Sequence, residues 1–191
     1  MGVLERLREY LPKGYVKEQR YLSRERVRSK NLPIGIYILS DGVAELCVKA
    51  KATKRTLDIM LPGDTFGVLS NTKTAKEFTI HALTPVSFFH IDADNIERLG
   101  YEDPELILDI FSLVISKQAH IYEVLRNLCF LKAENKIRNV LNLLSKEAEE
   151  RKTYLVIKKK HIAGITGLSY ENVVRTMSKM ENLKSRRVRL W

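Results

Sequence analysis

The chain has 191 residues, 45% of them hydrophobic, and carries 33 Lys and Arg against 23 Asp and Glu, a formal net charge of +10. That apolar content excludes a disordered chain, the length allows one or two domains with a buried core, and the charge calls for a polyanionic partner. Cys47 and Cys129 are too few for a disulfide framework or a four-thiolate metal site, Met1–Arg6 lacks a signal-peptide core, and no apolar run reaches the ~18 residues of a membrane span, so a reducing cytoplasm without a membrane partner is expected.

Val3, Leu4, Leu7 and Leu11 form a short helical stripe that ends at Pro12. Short strand-like runs follow. Residues 34–39 lead through Ser40-Asp41-Gly42 into 43–48, and Asp-Gly between apolar runs signals a hairpin. Further runs at 56–61 and 78–83 stop at Pro62-Gly63-Asp64 and Thr84-Pro85, and another follows at 86–91, the spacing of a β-barrel or jelly roll. Asp94 is placed to cap a helix through Leu99.

Asp103-Pro104 opens a long helix, with a cap residue before a first-turn proline. No Gly or Pro interrupts it as far as Leu128. Ile107, Phe111, Val114, Gln118, Ile121, Leu125 and Leu128 step by fours and threes, a heptad stripe that predicts a seam with a second copy of the helix. Leu106, Ile110, Leu113 and Val124 form a second stripe that should pack on the β-domain. Residues 133–148 read as an amphipathic helix and 154–157 as a short strand.

The charge is unevenly spread. Residues 129–191 hold 15 Lys and Arg against 6 Asp and Glu, a net of +9, which leaves +1 for residues 1–128. Within the basic part, Ala163, Gly167 and Val173 have the spacing of a helix-turn-helix. A small residue stands at the helix crossing, a Gly at the turn and an apolar anchor in the second helix. Ser169 is placed to cap that helix, which should turn Val173 and Met177 inward and Tyr170, Glu171, Arg175 and Lys179 outward. Arg175 suits guanine and Glu171 suits cytosine in a major groove, with Tyr170 beside them as a third base-reading position. Lys158, Lys159, Lys160, Ser169, Lys179, Arg186, Arg187 and Arg189 suit phosphates.

These segments, in this order, resemble the cyclic-AMP-receptor/FNR (CRP/FNR) family of bacterial transcription regulators. The phrases Gly35–Val43 and Leu61–Gly67 are similar to its effector-domain motifs, Asn127–Leu131 to its hinge and Ile162–Arg175 to its reading head. The resemblance implies an α+β chain with three parts. These are an N-terminal double-stranded β-helix, or jelly-roll, effector domain over 1–102, a dimerisation helix over 103–128 and a winged helix-turn-helix over 129–191. The wing, Leu183–Trp191, has room only for a tight basic ribbon. Implied partners are double-stranded DNA, a second copy of the chain and, for an activator, RNA polymerase.

The resemblance also places an effector pocket at Phe66, Gly67, Val68, Phe78, Thr79 and Tyr122. There the chain departs from cyclic-nucleotide-binding members, with Val68 for the ribose-binding Glu and Phe78-Thr79 for the phosphate-holding Arg-Ser. A buried cyclic phosphate would lose its main charge partner, so cyclic AMP is not expected as the effector. No resident cofactor, metal or catalytic residue is expected. Two other readings remain open on the residues alone. One is a basic effector-binding module acting on RNA or a protein partner. The other is a metal-dependent, cupin-like enzyme, which needs converging histidines, whereas His81 and His90 stand nine residues apart.

Overall fold

The computed structural model describes residues 2–50, 53–68, 78–180 and 188–190. Helix α1 (Val3–Glu9) precedes strands β1 (Lys17–Tyr21), β2 (Arg26–Arg28), β3 (Gly35–Asp41), β4 (Ala44–Ala50), β5 (Thr53–Met60), β6 (Thr65–Val68), β7 (Phe78–Ala82) and β8 (Val86–Ile91). Then come α2 (Ala93–Glu102), α3 (Pro104–Phe130), α4 (Ala133–Glu150), β9 (Leu155–Ile157), α5 (Lys159–Thr166), α6 (Tyr170–Lys179) and β10 (Val188–Leu190). Two four-stranded sheets, ordered β1-β8-β3-β6 and β2-β7-β4-β5, make the expected jelly roll, and the long helix and helix-turn-helix follow as expected. Among the described residues no helix is long and apolar enough to cross a membrane.

The chain divides into two compact units. Met1–Glu45 and Met60–Ala119 form the first, Leu46–Ile59 and His120–Trp191 the second. These bounds differ from the segments 1–102, 103–128 and 129–191. The β4–β5 hairpin belongs with the C-terminal part because Thr56 meets Gly164 of α5 and Asp58 faces His120. The long helix is divided at Ala119 and is not a unit of its own.

In the first unit, β8 lies between β1 and β3, and both its faces are buried, which explains the unbroken apolar run Val-Ser-Phe-Phe-His-Ile. Ile38, Phe89 and Ile91 pack beneath Leu7 and Tyr10 of the N-terminal segment, Leu99 of α2, and Leu106 and Ile110 of α3. The second apolar stripe of the long helix therefore meets the β-domain through Leu106 and Ile110. Asp103 caps α3 by accepting the Leu106 amide at 3.1 Å, and Arg6 ties α1 to Asp103 and to Asp109, the latter at 2.8 Å.

Three local expectations are corrected. First, Asp41-Gly42 does not close a hairpin. Both edges of β3 are taken by β6 and β8, so the turn carries the chain to the other sheet, where the Val43 carbonyl accepts the Leu83 amide at 2.9 Å. Gly42 has φ +84°, and a Cβ there would lie 2.1 Å from the Pro85 carbonyl oxygen. Gly42→Ala is therefore expected to destabilise the first unit by roughly 2–4 kcal/mol, checked by urea unfolding; a loss under about 0.5 kcal/mol would contradict this account of the turn. Second, the cap of α2 is Asp92, whose Oδ1 accepts the Asn95 amide at 2.9 Å, and Asp94 stands in the first turn. Third, β1, β2 and β6 were not anticipated. Lys-Glu-Gln-Arg-Tyr and Arg-Val-Arg are polar edge strands, and Thr-Phe-Gly-Val is short and broken by glycine.

The second unit packs α4, α5 and α6 around Ile137, Val140, Leu141, Leu144, Ile162, Ile165, Val173 and Met177, all buried. The apolar positions expected on the 133–148 helix are thus its core face. Strand β10 runs parallel to β9, with Val188 opposite Leu155 and Leu190 opposite Ile157. The described end of the expected ribbon is therefore a strand returned to β9. Residues 181–187, including Arg186 and Arg187, lie outside the described residues, as does the Arg189 side chain.

Candidate functional site

Helices α5 and α6 are joined at Gly167, whose φ of +68° is a left-handed turn that costs glycine little. Ser169 caps α6 and accepts the Asn172 amide at 3.2 Å. Val173 and Met177 are buried, one turn apart, and fix which face of α6 looks out. Tyr170, Glu171, Arg175 and Lys179 are exposed, with Glu171, Arg175 and Lys179 in one i, i+4 row. Lys158 and Lys160 are exposed at the start of α5, and Lys159 is half-buried. Such a helix offers hydrogen-bonding side chains on one face and cations on the turns beside it.

Sequence reading missed two features of this unit. On α6, Thr176 donates to Asn172 Oδ1 at 3.1 Å and so sets that amide's orientation. The other is a charge cluster. His120, in α3, places Nδ1 2.9 Å from Glu147 Oε1 and Nε2 3.5 Å from Asp58 Oδ1. Asp58 and Glu147 together push the His120 pKa up to about 10, against the burial that lowers it. The three residues lie 27 or more positions apart in sequence, so no local spacing could have found them.

In the first unit, aromatic rings of β3, β6, β7 and β8 pack on one another. Tyr37 stacks on Phe66 at 4.8 Å and on His90 at 4.5 Å, and Phe66 meets Phe78 and Phe88 edge-on at 5.6 and 5.5 Å. Burial raises the Tyr37 pKa to about 12, and its hydroxyl donates to the Pro33 carbonyl at 2.9 Å. Of the six expected pocket residues, Phe66 and Phe78 meet in this cluster. Val68 is buried opposite Gly35, and Gly67 is exposed opposite Ile36. Thr79 alternates with Phe78 and Ile80 along β7 and so lies on the strand's other face. Tyr122 is exposed and belongs to the second unit. Phe66 and Phe78 thus stand together, while Thr79 lies on the other face of β7.

The histidines are engaged separately. His81 Nδ1 lies 3.1 Å from buried Glu45, His90 Nε2 lies 3.0 Å from the Ile34 carbonyl, and His120 sits between carboxylates. Cys47 is buried and Cys129 exposed, and neither forms a disulfide among the described residues.

The long helix leaves apolar side chains in water. Leu108, Phe111, Ile115, Ile121, Tyr122 and Leu125 are exposed, Leu108 by 65% and Ile115 by 63%. Of the expected seam, Phe111, Gln118, Ile121 and Leu125 are exposed, while Ile107, Val114 and Leu128 are half-buried.

Residues 18–102 match the family model of the cyclic nucleotide-binding domain. No curated protein matches the chain. Among solved structures it is similar to a CooA mutant from Carboxydothermus hydrogenoformans, at a TM-score of 0.68 and 18% identity over 93% of this chain and 83% of that one. It is similar to CLP, the c-di-GMP-responsive global regulator of Xanthomonas campestris, at 0.68 and 17% over 92% and 90%. It is also similar to a CRP/FNR-family transcriptional regulator from Thermus thermophilus, at 0.62 and 19% over 85% and 84%. The shared feature is the fold, which is that of CRP/FNR regulators.

Proposed function

We propose that this chain, with the fold of the CRP/FNR regulators, is a homodimeric, sequence-specific DNA-binding transcription regulator of that type. The observation that carries this reading is the capped α6 helix with its exposed Glu171–Arg175–Lys179 row, set in a segment with a net charge of +9. In this reading α6 enters a major groove. Arg175 donates two hydrogen bonds to guanine O6 and N7, and Glu171 accepts from cytosine N4. Tyr170, at the start of the helix, is a third contact. Lys158, Lys159, Lys160, Ser169 and Lys179 hold phosphates, which position the helix without specifying sequence. The exposed face of α3 supports pairing of two chains on two half-sites about one helical turn apart. Acting as an activator, it would also touch RNA polymerase. Binding, not catalysis, is the work assigned to these residues.

Selection from random duplex DNA, followed by fluorescence anisotropy, tests the reading. A preferred pseudo-palindromic site is expected. Equal binding of all duplexes would sink it, and preference for RNA would favour the other basic-module reading.

The effector proposed for this chain is not cyclic AMP. Phe78, at the position of the phosphate-holding arginine, packs its ring against Phe66 and offers a cyclic phosphate no charge. Calorimetry with cyclic AMP is expected to show a Kd no tighter than about 1 mM, a binding free energy of about −4 kcal/mol. A micromolar Kd would refute this.

A further inference from the structure

The second unit is discontinuous, so the chain passes between units at Glu45/Leu46, Ile59/Met60 and Ala119/His120. Two of these crossings carry a member of the charge cluster. Asp58 stands one residue before the second, and His120 is the first residue after the third. Both side chains are largely buried, as is Glu147 near the end of α4. A neutral imidazole donates from one nitrogen only, so a ring facing carboxylates on both sides is held as the doubly protonated cation.

The strand that supplies Asp58 also supplies Thr56, two residues earlier and on the same face. A Cβ at Gly164 would stand 2.5 Å from Thr56 Oγ1 and 2.7 Å from its amide nitrogen, so only glycine lets α5 sit this close to β5. At the turn of the reading head, a Cβ on Gly167 would find Arg55 of β5 at 3.6 Å and Leu128 of α3 at 3.7 Å. Thus β5 and the end of α3 brace the helix-turn-helix, and His120 ties both to α4.

We propose that Asp58, His120 and Glu147 form an ion-pair latch that positions the α5–α6 reading head, by fastening β5 and the end of α3 to α4. All three are positioning residues and touch no base or phosphate. Among the described residues, the charged groups facing the ring are Asp58 from β5 and Glu147 from α4. On its own helix, Lys117 pairs with Asp64 and Glu123 with Arg126. Removing His120 leaves two buried carboxylates without their cation, and neutralising either carboxylate breaks one of the two ties between elements, so each change loosens the brace. The folded imidazolium persists well above the unfolded pKa of about 6.5, so the latch's contribution to stability is fully present below that value and is lost as pH rises through about 10.

The functional half of the proposal rests on the DNA-binding reading; the latch itself does not. The test uses full-length wild type, H120Q, D58N and E147Q, with R175A as control. Hydrogen exchange is followed in β5 and α5, and anisotropy on the selected duplex between pH 7 and 10. In each latch variant, exchange in β5 and α5 is expected to quicken together by about tenfold. Duplex affinity should fall by about tenfold. R175A should lose duplex preference with wild-type exchange. Wild-type affinity should fall more steeply than that of H120Q as pH rises towards 10, since lysines and tyrosines titrate in both. Should H120Q fail to fold, D58N and E147Q carry the same comparison. Unchanged exchange in the folded variants would overturn the latch. Faster exchange with wild-type affinity and pH profile would overturn its positioning role. A wild type without duplex preference defeats the DNA-binding reading, and exchange still decides the latch.

Discussion

Arg175→Ala is expected to weaken binding to the selected duplex by about 1–3 kcal/mol for each half-site, and to erase the preference for guanine at one position. The argument rests on where the side chain stands. Arg175 is exposed on α6, one turn beyond Glu171 and opposite the buried Val173 and Met177. Its removal opens no cavity, so folding stability should move by less than about 0.5 kcal/mol. Arg175→Lys keeps the charge but loses the planar fork that matches guanine, and should behave nearly as the alanine variant does. Lys179→Ala gives the contrast. A phosphate contact carries no sequence information, so its loss should weaken all duplexes alike and lower the salt slope by about one. Anisotropy against the selected site and its single-base variants, at several salt concentrations, separates the two behaviours. If the arginine variant keeps the full preference, the bases are read by other residues.

The reading head was legible in sequence because its constraints are local. Gly167 must turn left-handed, Ser169 must cap, and Val173 must be buried, all within a dozen residues. The same holds for Asp103-Pro104, where cap and proline stand side by side. The β-domain was legible only where a strand buries a face. The run at 86–91 announces itself because both faces are covered, while β1 and β2 are polar edges with little pattern to read. Asp41-Gly42 misled because a turn residue reports backbone angle, not which strand comes next to which. Whether β3 pairs with β4 is decided by β6 and β8, which approach from 27 or more residues away. The His120 cluster is the extreme case, assembled from a hairpin, a long helix and a following helix. At Phe78 and Thr79, strand alternation sets two sequence neighbours on opposite faces, which a motif match alone does not report.

Ile115→Lys should convert a dimer into folded monomers, and its comparison with Val114→Lys decides the phase of the seam. The sequence stripe runs through Ile107, Phe111, Val114, Gln118, Ile121, Leu125 and Leu128. The exposed face instead runs through Leu108, Phe111, Ile115, Gln118, Ile121, Tyr122 and Leu125, keeping Phe111, Gln118, Ile121 and Leu125 and replacing Ile107 and Val114 with Leu108 and Ile115. Half-buried Ile107 and Val114 point partly back towards their own unit, whereas Leu108 and Ile115 stand in water in the single chain. Burying a side chain of that size is worth about 1.5–3 kcal/mol, and a two-fold seam counts it twice. A lysine at 115 forfeits that gain and sets two like charges near the axis. Light scattering at micromolar concentration should then report monomers, with wild-type circular dichroism. Binding to the palindromic site should weaken by about 10²–10⁴, since two linked reading heads become one. Val114→Lys should cost stability first, because it charges a half-buried position, and should leave more dimer at equal concentration. Dimers in Ile115→Lys with monomers in Val114→Lys would restore the phase read from sequence, and dimers in both would move the interface off this helix.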